Sequence, residues 1–152
     1  MPTKIIIFLL LNFAALGLGS LFTSGAVTGD WYQQLNKAPW TPPGWVFGAA
    51  WTSIMVCFAI YMAYAWQNAT NKNTLIALFI IQWVLNVSWN PLFLKYQQVA
   101  AGLIVIVSLT LLVSYLFFTQ YQQLKLKSLL LLPYVLWMII ATSLNAYIFL
   151  KN

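Results

Sequence analysis

The chemistry open to this chain lies in aromatic rings and amides set at helical spacing. Gln82, Asn86 and Trp89 recur at i, i+4 and i+7, one face of a helix, with Asn90 beside them. Trp137, Ala141 and Leu144 follow at intervals of four and three, with Asn145 adjacent. A large ring, a small residue and an apolar one make a concavity with an aromatic wall. Phe47 and Trp51 are four apart and stack on one helical face. Uncharged amides in an apolar helix are costly unless they face the bundle or a cavity. The simpler role for Gln82 and Asn86, hydrogen bonding between helices, stands beside the ligand-facing one. A pocket of this kind suits a flat, largely apolar ligand with a few polar edges.

Acid–base chemistry is poorly supplied. The chain has no histidine, Asp30 is its only side-chain carboxylate, and Cys57 is its only cysteine. That excludes a Ser-His-Asp triad, a two-carboxylate glycosidase, a His or Cys zinc cage and an intrachain disulfide. No metal site is read and no cofactor is required. Haem iron would need an unusual axial ligand. No catalytic residue is assigned with certainty. Any turnover would have to run through tryptophan radicals or photochemistry.

The elements that must position these residues are membrane spans. The chain is 62% hydrophobic and 5% charged, with mean hydropathy +0.84, against about 25% charged residues in a soluble domain. The reading is an all-α integral membrane protein, one domain over residues 1–152. Five transmembrane helices are expected near 5–24, 44–66, 74–94, 99–118 and 128–150, as a bundle with the long first loop, 25–43, as a lid. Lys4 and the apolar run after it mimic a signal peptide, but the charge-free run exceeds a normal h-region. Asn12, Ala15 and Gly19 give that first span a small, slightly polar packing face. Asp30 is read as the N-cap of a short helix in the loop.

Pro42-Pro43 suits an extended approach to the second helix, and Gly44 is read as a point of close backbone approach. Pro91 deprives the carbonyl near Val87 of its usual donor, which predicts a local irregularity. The fourth span is almost purely aliphatic and is read as the most lipid-exposed. Residues 119–127 are read as a loop. Trp66 and Trp45 fit an interfacial belt. Trp83 points roughly 100° from Gln82 on an ideal helix, toward lipid or a partner subunit.

The net charge of +6 comes from seven lysines dispersed singly, with no basic stripe, so nucleic acid is not expected as a partner. Lys4, Lys72, Lys125 and Lys127 fall on the N-terminal side, and Lys37, Lys95 and Lys151 on the other. This bias places the N-terminus inside.

Three stretches carry a resemblance. Residues 37–52 read KAPWTPPGWVFGAAWT, residues 82–91 read QWVLNVSWNP, and residues 133–145 read PYVLWMIIATSLN. In this order and spacing they resemble the TspO/MBR family of tryptophan-rich sensory proteins over nearly the whole chain. The resemblance implies porphyrin binding, of the protoporphyrin IX type, between the helices beneath the first loop, by a receptor or carrier. Matched residue by residue, it implies Trp51 with neighbouring Phe47, then Asn86, Trp89 and Asn90, then Trp137, Ala141 and Leu144. Trp31, Tyr32 and Pro42 match loop positions at the mouth. It also implies a homodimer in the bacterial cell membrane. An alternative implied by the family is light-dependent porphyrin degradation centred on Trp51 and Trp137, and another is a stress-related regulatory partner of other membrane proteins. The chain departs from the family pattern at Ala38, and at Ala49, where a proline is common. The sterol motif is only loosely matched by Leu144, Tyr147 and Lys151, which disfavours cholesterol, and the absence of histidine favours a metal-free tetrapyrrole.

Overall fold

The computed structural model describes residues 1–152 and is all-helical. Five long helices, α1 (Pro2–Ala26), α3 (Gly44–Asn68), α4 (Lys72–Asn90), α5 (Val99–Leu124) and α6 (Leu132–Lys151), are joined by a short helix α2 (Asp30–Gln34), a π turn (Pro91–Lys95) and a 3₁₀ segment (Lys125–Leu131). Local chemistry sets several ends. Pro2 opens α1, where its missing N–H costs nothing. Pro43 is extended (φ −58°, ψ 152°) immediately before α3. The Asn71 side chain accepts from the Thr74 N–H at 3.1 Å and caps α4.

The irregularity expected at Pro91 is a π turn. Pro91 cannot donate back to Val87, so the helix widens, and the Tyr96 N–H reaches the Pro91 carbonyl at 2.9 Å. Residues 119–127, expected as a loop, are helical as far as Leu124. No glycine or proline stops α5 there. The break comes at Lys125, whose φ of 50° leaves the helical region.

Four runs are long and apolar enough to cross a membrane. The last, Val99–Lys151, is 53 residues; as one straight helix it would be roughly 80 Å long, against a hydrocarbon core of about 30 Å. It reverses at Lys125 instead, so α5 and α6 pack side by side, with the Thr110 and Thr142 hydroxyls 2.9 Å apart. The multi-pass character of the chain follows from these apolar runs.

α3 is the central helix and buries Phe58, Ala59, Tyr61 and Ala63 completely. The small residues on α1 and α3 are used within the chain: Ala15, Gly19, Ala59 and Ala63 are all buried. Asn12 donates to the Met55 carbonyl at 3.0 Å and ties α1 to α3. Gly44 has open space around it; close approach is needed at Gly19 and Gly102 instead. A Cβ on Gly102 would lie 3.2 Å from Phe93 and 3.4 Å from Asn145 Oδ1.

α5 corrects the expectation of greatest lipid exposure. Its Gly102, Ile106, Leu109, Val113 and Leu116 form a buried stripe, whereas α4 buries only Leu75, Phe79 and Gln82. An all-aliphatic helix hides its packing face from sequence patterning, because both faces read alike.

In the first loop, Gly29 precedes α2 and Asp30 is its first helical residue rather than its cap. The loop is fastened to the end of α6. The Asn36 N–H donates to Asn152 Oδ1 at 2.9 Å, and Asn152 Nδ2 donates back to the Asn36 carbonyl at 3.2 Å. Overpacking at Gly102 is therefore expected to cost stability. Gly102→Leu should lower it by about 1–3 kcal/mol. Gly17→Ala, with no neighbour within 4 Å, should be neutral or stabilising. Thermal unfolding in detergent checks both.

Candidate functional site

The amides and rings of α4 and α6 are wired together across the bundle. The buried Tyr134 hydroxyl donates to Gln82 Oε1 at 2.8 Å and accepts from Asn86 Nδ2 at 3.2 Å. Tyr134, which occurs in the sequence only as part of the 133–145 stretch with no role of its own, is the hub. Trp51 of α3 meets its ring edge-on, with centroids 6.0 Å apart. Phe47, one turn earlier on α3, meets Trp137 edge-on at 5.3 Å. Phe47, Trp51, Asn86 and Trp137 thus form one group around Tyr134, and Ala141 packs against the main core to which Tyr134 and Trp137 belong.

A second group lies toward the first loop. Trp89 stacks on Phe93 with centroids 4.9 Å and planes 11° apart, and Trp31 of α2 meets Phe93 edge-on at 5.8 Å. The Trp89 indole N–H donates to Asn145 Oδ1 at 2.9 Å, and Asn145 Nδ2 reaches the Val99 carbonyl at 3.3 Å. Tyr32 packs against the same cluster, with Lys37 Nζ 4.7 Å from its ring centroid. Phe93 escaped the sequence reading, although its i+4 spacing from Trp89 was a visible signal. Trp89 packs against both groups and joins them.

Other expected positions stand apart. Asn90 faces α1, where its Oδ1 lies 3.1 Å from the Thr23 hydroxyl and its amide fills the space beside Gly19. Leu144 is buried on α6, and Pro42 is half-buried ahead of α3. Trp40 of the loop docks on α6, donating to Ser143 Oγ at 3.1 Å and meeting Tyr147 edge-on. The two indole N–H groups of the pair Trp89 and Trp137 differ in one respect. That of Trp89 is satisfied; that of Trp137 is buried without a partner. An unpaired buried donor costs about 1–3 kcal/mol, and a polar edge on a bound molecule would relieve it.

A family profile described as the TspO/MBR family matches residues 7–150. The chain belongs to the TspO/MBR family. It is 39% identical over 135 residues to the tryptophan-rich protein TspO of Archaeoglobus fulgidus, covering 88% of this chain and 87% of that protein. It is 30% identical to protein CrtK of Rhodobacter capsulatus, covering 88% and 83%. It is 28% identical to the human translocator protein, covering 89% and 84%. As a TspO/MBR protein with several long apolar helices, the chain is a multi-pass integral membrane protein, and its environment is the lipid bilayer.

Two outcomes follow from this geometry. Tyr134→Phe strands Gln82 Oε1 and should lower stability by about 1–3 kcal/mol. Tyr115→Phe, on an exposed side chain, should stay within about 0.5 kcal/mol. Denaturant titration in micelles checks the pair. Burial raises the Tyr32 hydroxyl above its ordinary pKa of 10.0. The neutral form is the one docked, so its contribution to loop packing is fully present below pH 10.0 and is lost as pH rises through the raised value. The phenolate difference titration between wild type and Tyr32→Phe should therefore have its midpoint above pH 10.0.

Proposed function

We propose that this TspO/MBR protein is a membrane receptor or carrier for porphyrin-type tetrapyrroles. The ligand would lie against Phe47, Trp51, Trp89 and Trp137, beneath the first loop acting as a lid. The observation that carries this reading is the partnerless, buried indole N–H of Trp137, set in a wall of half-buried aromatic rings. A porphyrin offers a large flat apolar face to such rings and polar atoms at its core and rim. Its carboxylates would meet Lys37 at the loop, the cation above Tyr32. Asn86 would lend a second polar contact. No metal is needed, since the chain offers no histidine as axial ligand. The word "translocator" in the name of the human relative favours a carrier.

The topology in this reading is five spans, with α5 and α6 counted separately. The N-terminus is inside a bacterial cell membrane, and the working unit is a homodimer. A second reading is light-dependent porphyrin degradation. The edge-on contact of Trp51 with Tyr134 favours it: with dioxygen as the oxidant of the light-excited porphyrin, a Trp51 indole that gives up an electron lies beside a hydrogen-bonded phenol that can replace it.

Titration of the detergent-solubilised protein with protoporphyrin IX, in dark and in light, tests both readings. The carrier reading expects saturable quenching of tryptophan fluorescence with a stable porphyrin spectrum. The degradation reading expects bleaching in light alone. Trp51→Phe combined with Trp137→Phe should abolish saturable quenching, and Trp45→Phe, on an exposed ring, should leave it. Quenching that survives the double substitution removes this site.

A further inference from the structure

A groove of about 390 Å³ lies at the end of the bundle away from the first loop, between the outer faces of α1, α3 and α4. Its volume falls within the range of small-molecule sites, about 300–1,000 Å³. Ten of its eleven lining residues are hydrophobic, and the exception is Lys4. Phe8 and Phe79 form its floor, their rings edge-on at 5.1 Å. Trp83 closes the inner end. Its indole N–H donates to the Leu11 carbonyl at 2.8 Å, which pins the ring across the gap between α4 and α1. Trp66 stands at the mouth.

The mouth is cationic. Lys4 Nζ lies 4.7 Å and Lys72 Nζ 5.3 Å from the centroid of the one Trp66 ring. No carboxylate stands at this end, because the chain's single acidic side chain, Asp30, is in α2 on the loop side. Two ammonium groups crowd one indole with no counter-charge from the protein. From Lys4 to Leu11 the groove follows seven residues of helix, about 10 Å. That is most of one leaflet's hydrocarbon depth, about half of the 30 Å core. The shape is a charged head at the interface and an apolar channel running inward.

We propose that this groove binds one anionic phospholipid, with an acyl chain along Phe8 and Phe79 and the headgroup phosphate between Lys4 and Lys72. Basic pockets between membrane helices recognise anionic headgroups by this combination. A water-soluble ligand would strand its polar atoms on the apolar walls. A zwitterionic lipid brings its own cation to a mouth that already holds two, so the net negative headgroup is preferred. The site stands apart from the aromatic groups around Tyr134 and Trp89 and holds whether or not a porphyrin binds there.

Native mass spectrometry of the protein in detergent doped with equal phosphatidylglycerol and phosphatidylcholine tests the site. The expected result is one phosphatidylglycerol retained per chain in preference to phosphatidylcholine. Lys4→Gln with Lys72→Gln should weaken that retention about 10- to 30-fold. Lys125→Gln with Lys127→Gln removes the same charge from the same end but outside the groove, and should weaken it less than about 3-fold. Ile80→Trp fills the groove from its exposed, lipid-facing side with both lysines intact, and should also abolish retention. Equal losses in the two lysine pairs, equal retention of both lipids, or a dimer that Ile80→Trp splits without loss of lipid would each overturn the proposal.

Discussion

The hydroxyl of Tyr134 is the point on which the interior depends. In a bilayer a buried amide has no water to fall back on, so each must be paired inside the bundle or paid for in stability. Tyr134 pairs two of them at once, Gln82 and Asn86, and does so across the gap between α6 and α4. Its ring is also the surface against which Trp51 and Phe58 pack. One side chain therefore sets the separation of two helices and the pose of a pocket indole. Phe47 and Trp137 inherit their positions from the same arrangement of α3 and α6.

Close packing does the rest. Gly19 admits the Asn90 side chain to α1, and Gly102 leaves room for Phe93 and Asn145 on α5. The Trp89 indole N–H depends on that Asn145, and the loop's Trp31 depends on Phe93. A chain of contacts thus links a glycine on α5 to the mouth of the bundle. The π turn after Pro91 belongs to the same chain, since it carries Phe93. A proline that removes one hydrogen bond in mid-helix here re-aims an aromatic side chain instead of merely bending the helix.

The two ends of the molecule are chemically distinct. At the loop end, polar side chains are spent on docking, with Asn36 to Asn152 and Trp40 to Ser143. Lysines lie over aromatic rings at both ends, Lys37 at Tyr32 on the loop side, and Lys4 and Lys72 at Trp66 and Lys127 at Tyr64 on the other. Neither arrangement carries an acidic partner. The charge left over is therefore available to the membrane or to a ligand rather than neutralised within the chain.

The sequence by itself determined the class, the family and most of the spans. A chain this apolar has no way to cover itself with polar groups, and three motifs in order are specific. It also marked Gln82, Asn86, Trp89, Trp137 and the small-residue face of α1, because polar and small residues stand out against an aliphatic background. It could not choose a packing face for α5, where every side is equally apolar. It placed a loop where α5 runs on to Leu124, because the stop lies in the backbone of Lys125 and not in composition. It grouped Asn86 with Asn90, neighbours on one helical face. Only tertiary structure sends one amide to Tyr134 and the other to Thr23. The physical reason is that periodicity reports which face of a helix is polar, whereas the partner of each group depends on which helix lies opposite at that height.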